Sequence, residues 1–238
     1  MREKSVLGLC AGLATVAVAD RLVAGAVQRA GFTRWAEALL VDDAGKPLAA
    51  GGLETAEALV FAYPYVSTPC FLMNLGAAAS PRELSRGDGV SYRWPGGVGP
   101  AASLVAYSAI CAHQLAYPSR QRSAISYASG ANRIAGRSRV IVCCAHHSVY
   151  DPASGAAVLS GPAPQRLATV VLRYEPATQT LSATGILGAA LFDDFFVAYR
   201  EQLVETYGPG QWRRKVEGRT VVTPLSRYSK EVVSAAGC

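Results

Sequence analysis

Histidine is scarce in this chain: three residues in 238. Charge is scarce too, at 17% of residues against 50% hydrophobic, which leaves ample material for a core. No internal repeat and no low-complexity segment is present, so neither a repeat array nor a disordered chain is indicated. Acidic residues are missing altogether between Cys111 and Tyr150, where Arg120, Arg122, Arg133, Arg137 and Arg139 fall. Together with a net charge of +6, that stretch suits an anionic lipid or an acidic protein face. No RNA- or DNA-binding signature accompanies it, which sets nucleic acid aside as a partner. The length suits one domain with appendages, or two small domains.

The chain starts "MREKSVLGLCAGLATVAVADRLVAGAVQRAGF". A short basic start precedes an apolar run from Ser5 to Ala19, interrupted by Asp20 and Arg21 before "LVAGAV" resumes. Such a run is short for a bilayer span and typical of a signal-peptide core, with "AVA" at 17–19 as a cleavage site. Kept attached, the segment would run on to Val27 as a membrane anchor; no twin-arginine pair is present. Either reading of residues 1–29 sends the body of the protein across a membrane. A buried N-terminal helix is the plainer alternative.

From about residue 55 the pattern is that of strands. "EALVFAYPYV", "PCFLMNLG", "SLVAYSAIC", "RVIVCC", "RLATVVLRYE" and "TLSATGIL" are short β-favouring runs. Turn signals such as "SPRELSRGDG", "WPGGVGP", "DPASG" and "SGPAP" separate them. This predicts an all-β, antiparallel domain. Residues 28–54 hold Gly, Ala and Asp-rich pieces that permit a mobile neck without demanding one. "DDFFVAYREQLVETYG" then places Phe196, Tyr199, Leu203 and Tyr207 along one face of a helix stopped by Gly208-Pro209-Gly210. A basic, partly extended tail follows. It is too short to bury a core alone, so it should pack on the β domain or on another subunit.

Every histidine lies beside a cysteine. "SAICAHQLAYP" holds Cys111-x-His113, and "VIVCCAHHSVYDPASGAAVLSGPAP" holds Cys143-x-x-His146 together with Cys144 and His147. Two thiols and two imidazoles suit tetrahedral zinc. The same donor set, as C-x-H followed by C-x-x-H on two β loops, suits a [2Fe–2S] centre in which one iron takes the thiolates and the other the imidazoles. Neutral imidazoles reduce the negative charge of such a centre and raise its potential.

The second segment resembles the second cluster-binding box of Rieske proteins: Cys, two residues, His, one residue, Ser, one residue, an aromatic, Asp, and later Gly-Pro-Ala-Pro. That register implies Cys111, His113, Cys143 and His146 as ligands of a Rieske-type [2Fe–2S] cluster, with Cys144 and His147 as bystanders. The resemblance also implies that the hydroxyls of Ser148 and Tyr150 hydrogen-bond to a cluster sulfur and a ligand cysteine, which stabilises the reduced cluster. Most respiratory members carry a disulfide between the two loops, at positions that here are Ala116 and Ala145. The loops must then be held by packing, by the proline turn at 161–164, or by a partner. Of the other cysteines, Cys70 reads as a core residue, Cys10 lies in the leader and Cys238 is the exposed last residue; no disulfide framework can be read from them.

Upstream, "ALVFAYPYVSTPCFLMNLG" and "GGVGPAASLVAYSAICAHQL", with "VLRYEPATQTLSATGILG" downstream, are similar to the small subunit of arsenite oxidase. The Ser148, Tyr150 and Gly-Pro-Ala-Pro features sit closer to the Rieske subunits of cytochrome bc complexes. The resemblance implies a Rieske domain over 30–190, its cluster-binding part at about 109–165, and an unmatched extension over 191–238. Two functions follow. One is an electron-transfer subunit with no substrate of its own, between a molybdopterin catalytic subunit and a cytochrome or quinone. The other is a quinol-oxidising subunit of a cytochrome bc-type complex, which a mobile neck would favour. A ring-hydroxylating oxygenase needs two further histidines for a mononuclear iron, and all three in this chain already lie in the two boxes. Both surviving readings put the protein in the periplasm or on the outer face of an energy-transducing membrane, attached through the N-terminal segment.

Overall fold

The computed structural model describes residues 31–233 and Cys238. The apolar segment at 1–29 and the cleavage or anchor readings attached to it lie outside the described residues. Among the described residues no helix is long and apolar enough to cross a membrane.

Strand formation follows the runs of β-branched and aromatic residues. The strands are β1 (Phe32–Val41), β2 (Leu59–Ala62), β3 (Pro69–Asn74), β4 (Arg82–Ser85), β5 (Ser91–Trp94), β6 (Leu104–Ser108), β7 (Arg122–Ser123) and β8 (Ile125–Ala128). They continue with β9 (Val140–Cys143), β10 (Ser148–Asp151), β11 (Ala157–Ser160), β12 (Thr169–Glu175), β13 (Thr180–Leu187), β14 (Gly218–Val221), β15 (Thr223–Pro224) and β16 (Glu231–Val232). Three short helices, α1 (Phe192–Ala198), α2 (Arg200–Tyr207) and α3 (Leu225–Tyr228), all fall in the last fifty residues or so. The all-β expectation therefore holds for the body.

One eight-stranded sheet runs β14-β1-β13-β12-β6-β3-β2-β15, antiparallel except where β14 joins β1 in parallel. Because β14 and β15 are nearly consecutive yet pair with β1 and β2, the segment 218–224 links the two edges and nearly closes the sheet. A smaller sheet, β11-β10-β9-β8, carries the second Cys/His box. Side chains alternate along each strand of the large sheet, so successive residues enter different cores. Val60, Phe71, Met73, Val105 and Tyr107 pack with Ile125, Ile141 and Tyr150 of the small sheet. Their neighbours Phe61, Cys70, Leu72, Leu104 and Ala106 pack with Phe192, Phe195, Phe196 and Leu203 of the C-terminal helices. Burial on both faces explains why β3 and β6 read as continuous apolar runs rather than as alternating ones.

Two local expectations need correction. Of the span 28–54 offered as a neck, residues 32–41 form β1, held on one side by β13 and on the other by β14. Leu48 N–H bonds back to Leu40 and Ala50 N–H to Gln179, so the following loop is tied to the body as well. "WAEALL" resembles a helix by composition, and it becomes a strand because two neighbouring strands supply its hydrogen bonds. The single helix expected over 193–207 is broken at Tyr199, whose backbone leaves the helical region at φ −113°. Tyr199 instead turns its ring onto Tyr117, 4.8 Å away between centroids.

Candidate metal centre

The first box leaves the end of β6 in the large sheet; the second is the turn between β9 and β10 in the small one. The hairpin pairs Ser148 with Cys143, and β8 pairs Ile125 with the same cysteine. Cys143 is thus placed by strands on both sides. In the first loop, Cys111 N–H donates to Ala116 O at 2.8 Å and Leu115 N–H to Cys111 O at 3.0 Å, a tight turn in which Leu115 has φ +59°. The chain folds back at once, which brings His113 above its own cysteine.

The two boxes meet as two pairs. Cys111 and Cys143 are both 1% exposed and their side chains hydrogen-bond to one another. The rings of His113 and His146 lie 4.8 Å apart between centroids, edge to face at 83°. His146 is exposed and His113 half-buried, so the thiols lie inward and the imidazoles toward solvent. His147, with φ +61°, is exposed and takes no part in that ring pair. Among the described residues no three His, Cys, Asp or Glu side chains close round a single point.

Charge within the thiol pair is divided unequally. The hydrogen bond from Cys143 draws the Cys111 thiol down to about 6, helped by Tyr150 and by the amides of His113 and Gln114. The same bond, with burial and the Cys111 charge, pushes Cys143 up. A metal cation bound there would hold both as thiolates. Tyr150, wholly buried, sits with its hydroxyl 3.2 Å from Cys111 Sγ. It accepts from Ala112 N–H at 3.1 Å, so its own proton is directed to the sulfur. Burial, then the Cys111 charge, raises the Tyr150 pKa and keeps that proton in place.

Two polar atoms at the site are buried without a partner: His113 Nδ1 and Ser148 Oγ. An orphaned buried group is costly, roughly 1–3 kcal/mol, and native proteins rarely tolerate one without a reason. A nitrogen donor at the imidazole pair and a hydroxyl beside the thiol pair are what a bound iron–sulfur group would satisfy. Inward thiols, outward imidazoles and these two orphans fit a cluster with one thiolate-bound and one imidazole-bound iron.

The loops are braced from behind. Gly161 of the proline turn lies so close to the second loop that a Cβ there would sit 2.4 Å from His147 O and 2.6 Å from Ser148 Cα. Asp151 accepts from Ala153 N–H at 3.0 Å and from Ser154 Oγ at 2.9 Å, and Arg137 lies 3.9 Å from it. Of the arginines in the acid-free stretch, Arg120 stacks over Tyr228 and Arg122 pairs with Glu231. Arg133 and Arg139 stay exposed.

Two features had no local sequence signal. Tyr199, on the C-terminal extension, lies near enough for the Cys143 and Cys111 charges to add to the burial that raises its pKa. Cys144 and Cys238 form a disulfide across 94 residues, a pairing that could not be read from the sequence, and Cys238, expected to be exposed, is partly buried.

No protein-family model matches the sequence. Among solved structures, the soluble domain of the Rieske protein II (soxF) from Sulfolobus acidocaldarius is similar at 25% sequence identity and a TM-score of 0.45, over 67% of this chain and 82% of that one.

Proposed function

We propose that this chain is a Rieske-type electron-transfer subunit of an oxidoreductase complex, holding a [2Fe–2S] cluster on Cys111, Cys143, His113 and His146. The observation that carries the reading is the sorting of four donors into a buried thiol pair under the Tyr150 hydroxyl and an outward imidazole pair. When bound, the cluster supplies a one-electron carrier in the range of about −150 to +300 mV. The protein's own work is to hold the thiolates dry, to aim hydroxyl and amide donors at sulfur, and to leave the His146 edge open to a partner. Electron paramagnetic resonance of the reduced protein tests this. The low average g value of mixed histidine–cysteine ligation is expected; an all-cysteine signal, or stoichiometric zinc without iron, would refute it.

The Tyr150 and Ser148 hydroxyls should set the potential. Tyr150→Phe removes a hydrogen bond to a charged sulfur, worth roughly 1.5–3 kcal/mol, or about 65–130 mV for a one-electron couple. The midpoint should fall by up to that amount with the cluster still assembled, and Ser148→Ala should act in the same direction. Redox titrations that overlay the wild type would mean that neither hydroxyl reaches the cluster.

For the parent complex we favour the relay reading over direct quinol oxidation, because residues 32–41 are a paired strand of the body and not a neck. Its donor would be a catalytic subunit such as a molybdopterin enzyme, its acceptor a cytochrome or quinone. A compartment outside the cytoplasm is supported by the Cys144–Cys238 disulfide, since such bonds persist where the environment is oxidising. The exposed Arg133 and Arg139 would attract an acidic partner. Reversing both to Glu should slow reduction of the anionic acceptor ferricyanide several-fold at low salt, and the rates should converge as salt screens the field. Arg137 is left unchanged in that variant because it faces Asp151. Equal rates at every ionic strength would show that these charges do not act at the cluster.

A further inference from the structure

Both positions expected to bridge the cluster loops in respiratory Rieske proteins are alanine here, Ala116 and Ala145. Another tie is present between the same two regions. Residues 229–233 run alongside the chain leaving the first loop. Ser229 Oγ donates to Ser119 O at 2.6 Å, Lys230 N–H to Arg120 O at 3.0 Å, and Glu231 N–H to Gln121 O at 3.0 Å. Strand β16 pairs in parallel with β7, Val233 N–H reaches Ser123 O at 2.9 Å, and Glu231 pairs with Arg122. Five residues beyond Val233, Cys238 is bonded to Cys144, inside the second loop. The Cys144 amide also donates to Ala124 O at 2.7 Å, and both cysteines pack with Val140, Val142 and Val149.

We propose that the 229–233 strand and the Cys144–Cys238 bond together form a redox-cleavable strap that joins the exit of the first cluster loop to the second loop, so that retention of the metal depends on a disulfide outside the cluster. The proposal rests on the reading of the two boxes as cluster loops. Cys144 and Cys238 are both partly exposed, so an external reductant can reach the bond between them. The reductant is a dithiol. One thiolate attacks a sulfur of the bond, forming a mixed disulfide and expelling the other cysteine as a thiolate. The second thiol of the reductant then resolves the mixed disulfide. The reductant ends as its own disulfide, two electrons poorer, and two protons are left on Cys144 and Cys238. The residues of β16 then keep the short parallel ladder, the Arg122–Glu231 pair and the packing of Val232, and the second loop loses its covalent tie.

The test uses the full chain, metal-free and cluster-loaded, as wild type with and without dithiothreitol and as Cys238→Ser, a residue that is not itself a proposed ligand. Peptide mapping of the untreated wild type should find the fragments holding Cys144 and Cys238 linked, and dithiothreitol should separate them. In the metal-free protein, amide hydrogen exchange over 143–149 and 119–126 should quicken by roughly tenfold or more on reduction, the order expected when a long covalent loop is opened. Cys238→Ser should match the reduced wild type and respond no further to dithiothreitol. Iron release from the loaded protein to a chelator should accelerate in parallel. Unlinked fragments in the untreated protein, or exchange over 143–149 unchanged by reduction, would overturn the strap. A preparation that binds no [2Fe–2S] cluster yet shows the exchange difference would leave the strap standing and defeat the Rieske reading instead.

Discussion

Cys143→Ala is expected to give a folded protein with essentially no iron. The side chain sits at the end of β9 against Ile125 and Ser148, whose strand pairing does not depend on the sulfur. Deleting one sulfur from a packed site costs on the order of 1 kcal/mol, a small part of the 5–15 kcal/mol typical of a domain. The thiol pair, however, cannot be halved: Cys111 alone offers one thiolate where the proposed cluster takes two. Iron analysis and the visible spectrum after reconstitution should both read zero, with unchanged far-ultraviolet circular dichroism. Cys144→Ala is the matched control. Its sulfur is bonded to Cys238 and not to the thiol pair, so a cluster should assemble, held less firmly. A cluster of normal yield in Cys143→Ala would remove that residue from the ligand set.

Ending the chain at residue 190 is expected to abolish folding altogether. An extension used only to dock a partner could be removed without harm, but this one is part of the body. Phe195, Phe196, Leu203, Val222 and Leu225 are all buried, and β14, β15 and β16 each complete a pairing with an earlier strand. Burial of each such side chain is worth about 1.5–3 kcal/mol, so the set rivals the net stability of a whole domain. Tyr117, close after the first box, packs on Phe195 and Tyr199, so the first loop would lose its support as well. Expression of residues 1–190 should give aggregated chain, seen as loss of the cooperative thermal transition. A soluble, cooperatively melting fragment would show that the extension is an accessory.

The two Cys/His boxes stand out in the sequence by their spacing, and the register of the proposed donors within them came from the family resemblance. C-x-H and C-x-x-H lie within single turns, and each turn is flanked by its own strand signals, "SLVAYSAIC" and "RVIVCC". Tyr150 was picked out by the family resemblance, and its place two residues from Ser148 on β10 puts both on one face of the strand. The absence of a bridge at Ala116 and Ala145 could also be read directly. What replaces that bridge could not, since a disulfide joining residues 94 apart leaves no local pattern. The same limit applies to β1, whose alanines, leucines and Glu37 favour a helix until β13 and β14 flank it. It applies again to the extension, where the period of Phe196, Leu203 and Tyr207 identified an apolar face but not the core that receives it. Local spacing settles which atoms face one another across a turn. Pairing between distant segments is chosen by the burial and backbone hydrogen bonds of the whole chain, and those terms exist only once it has folded.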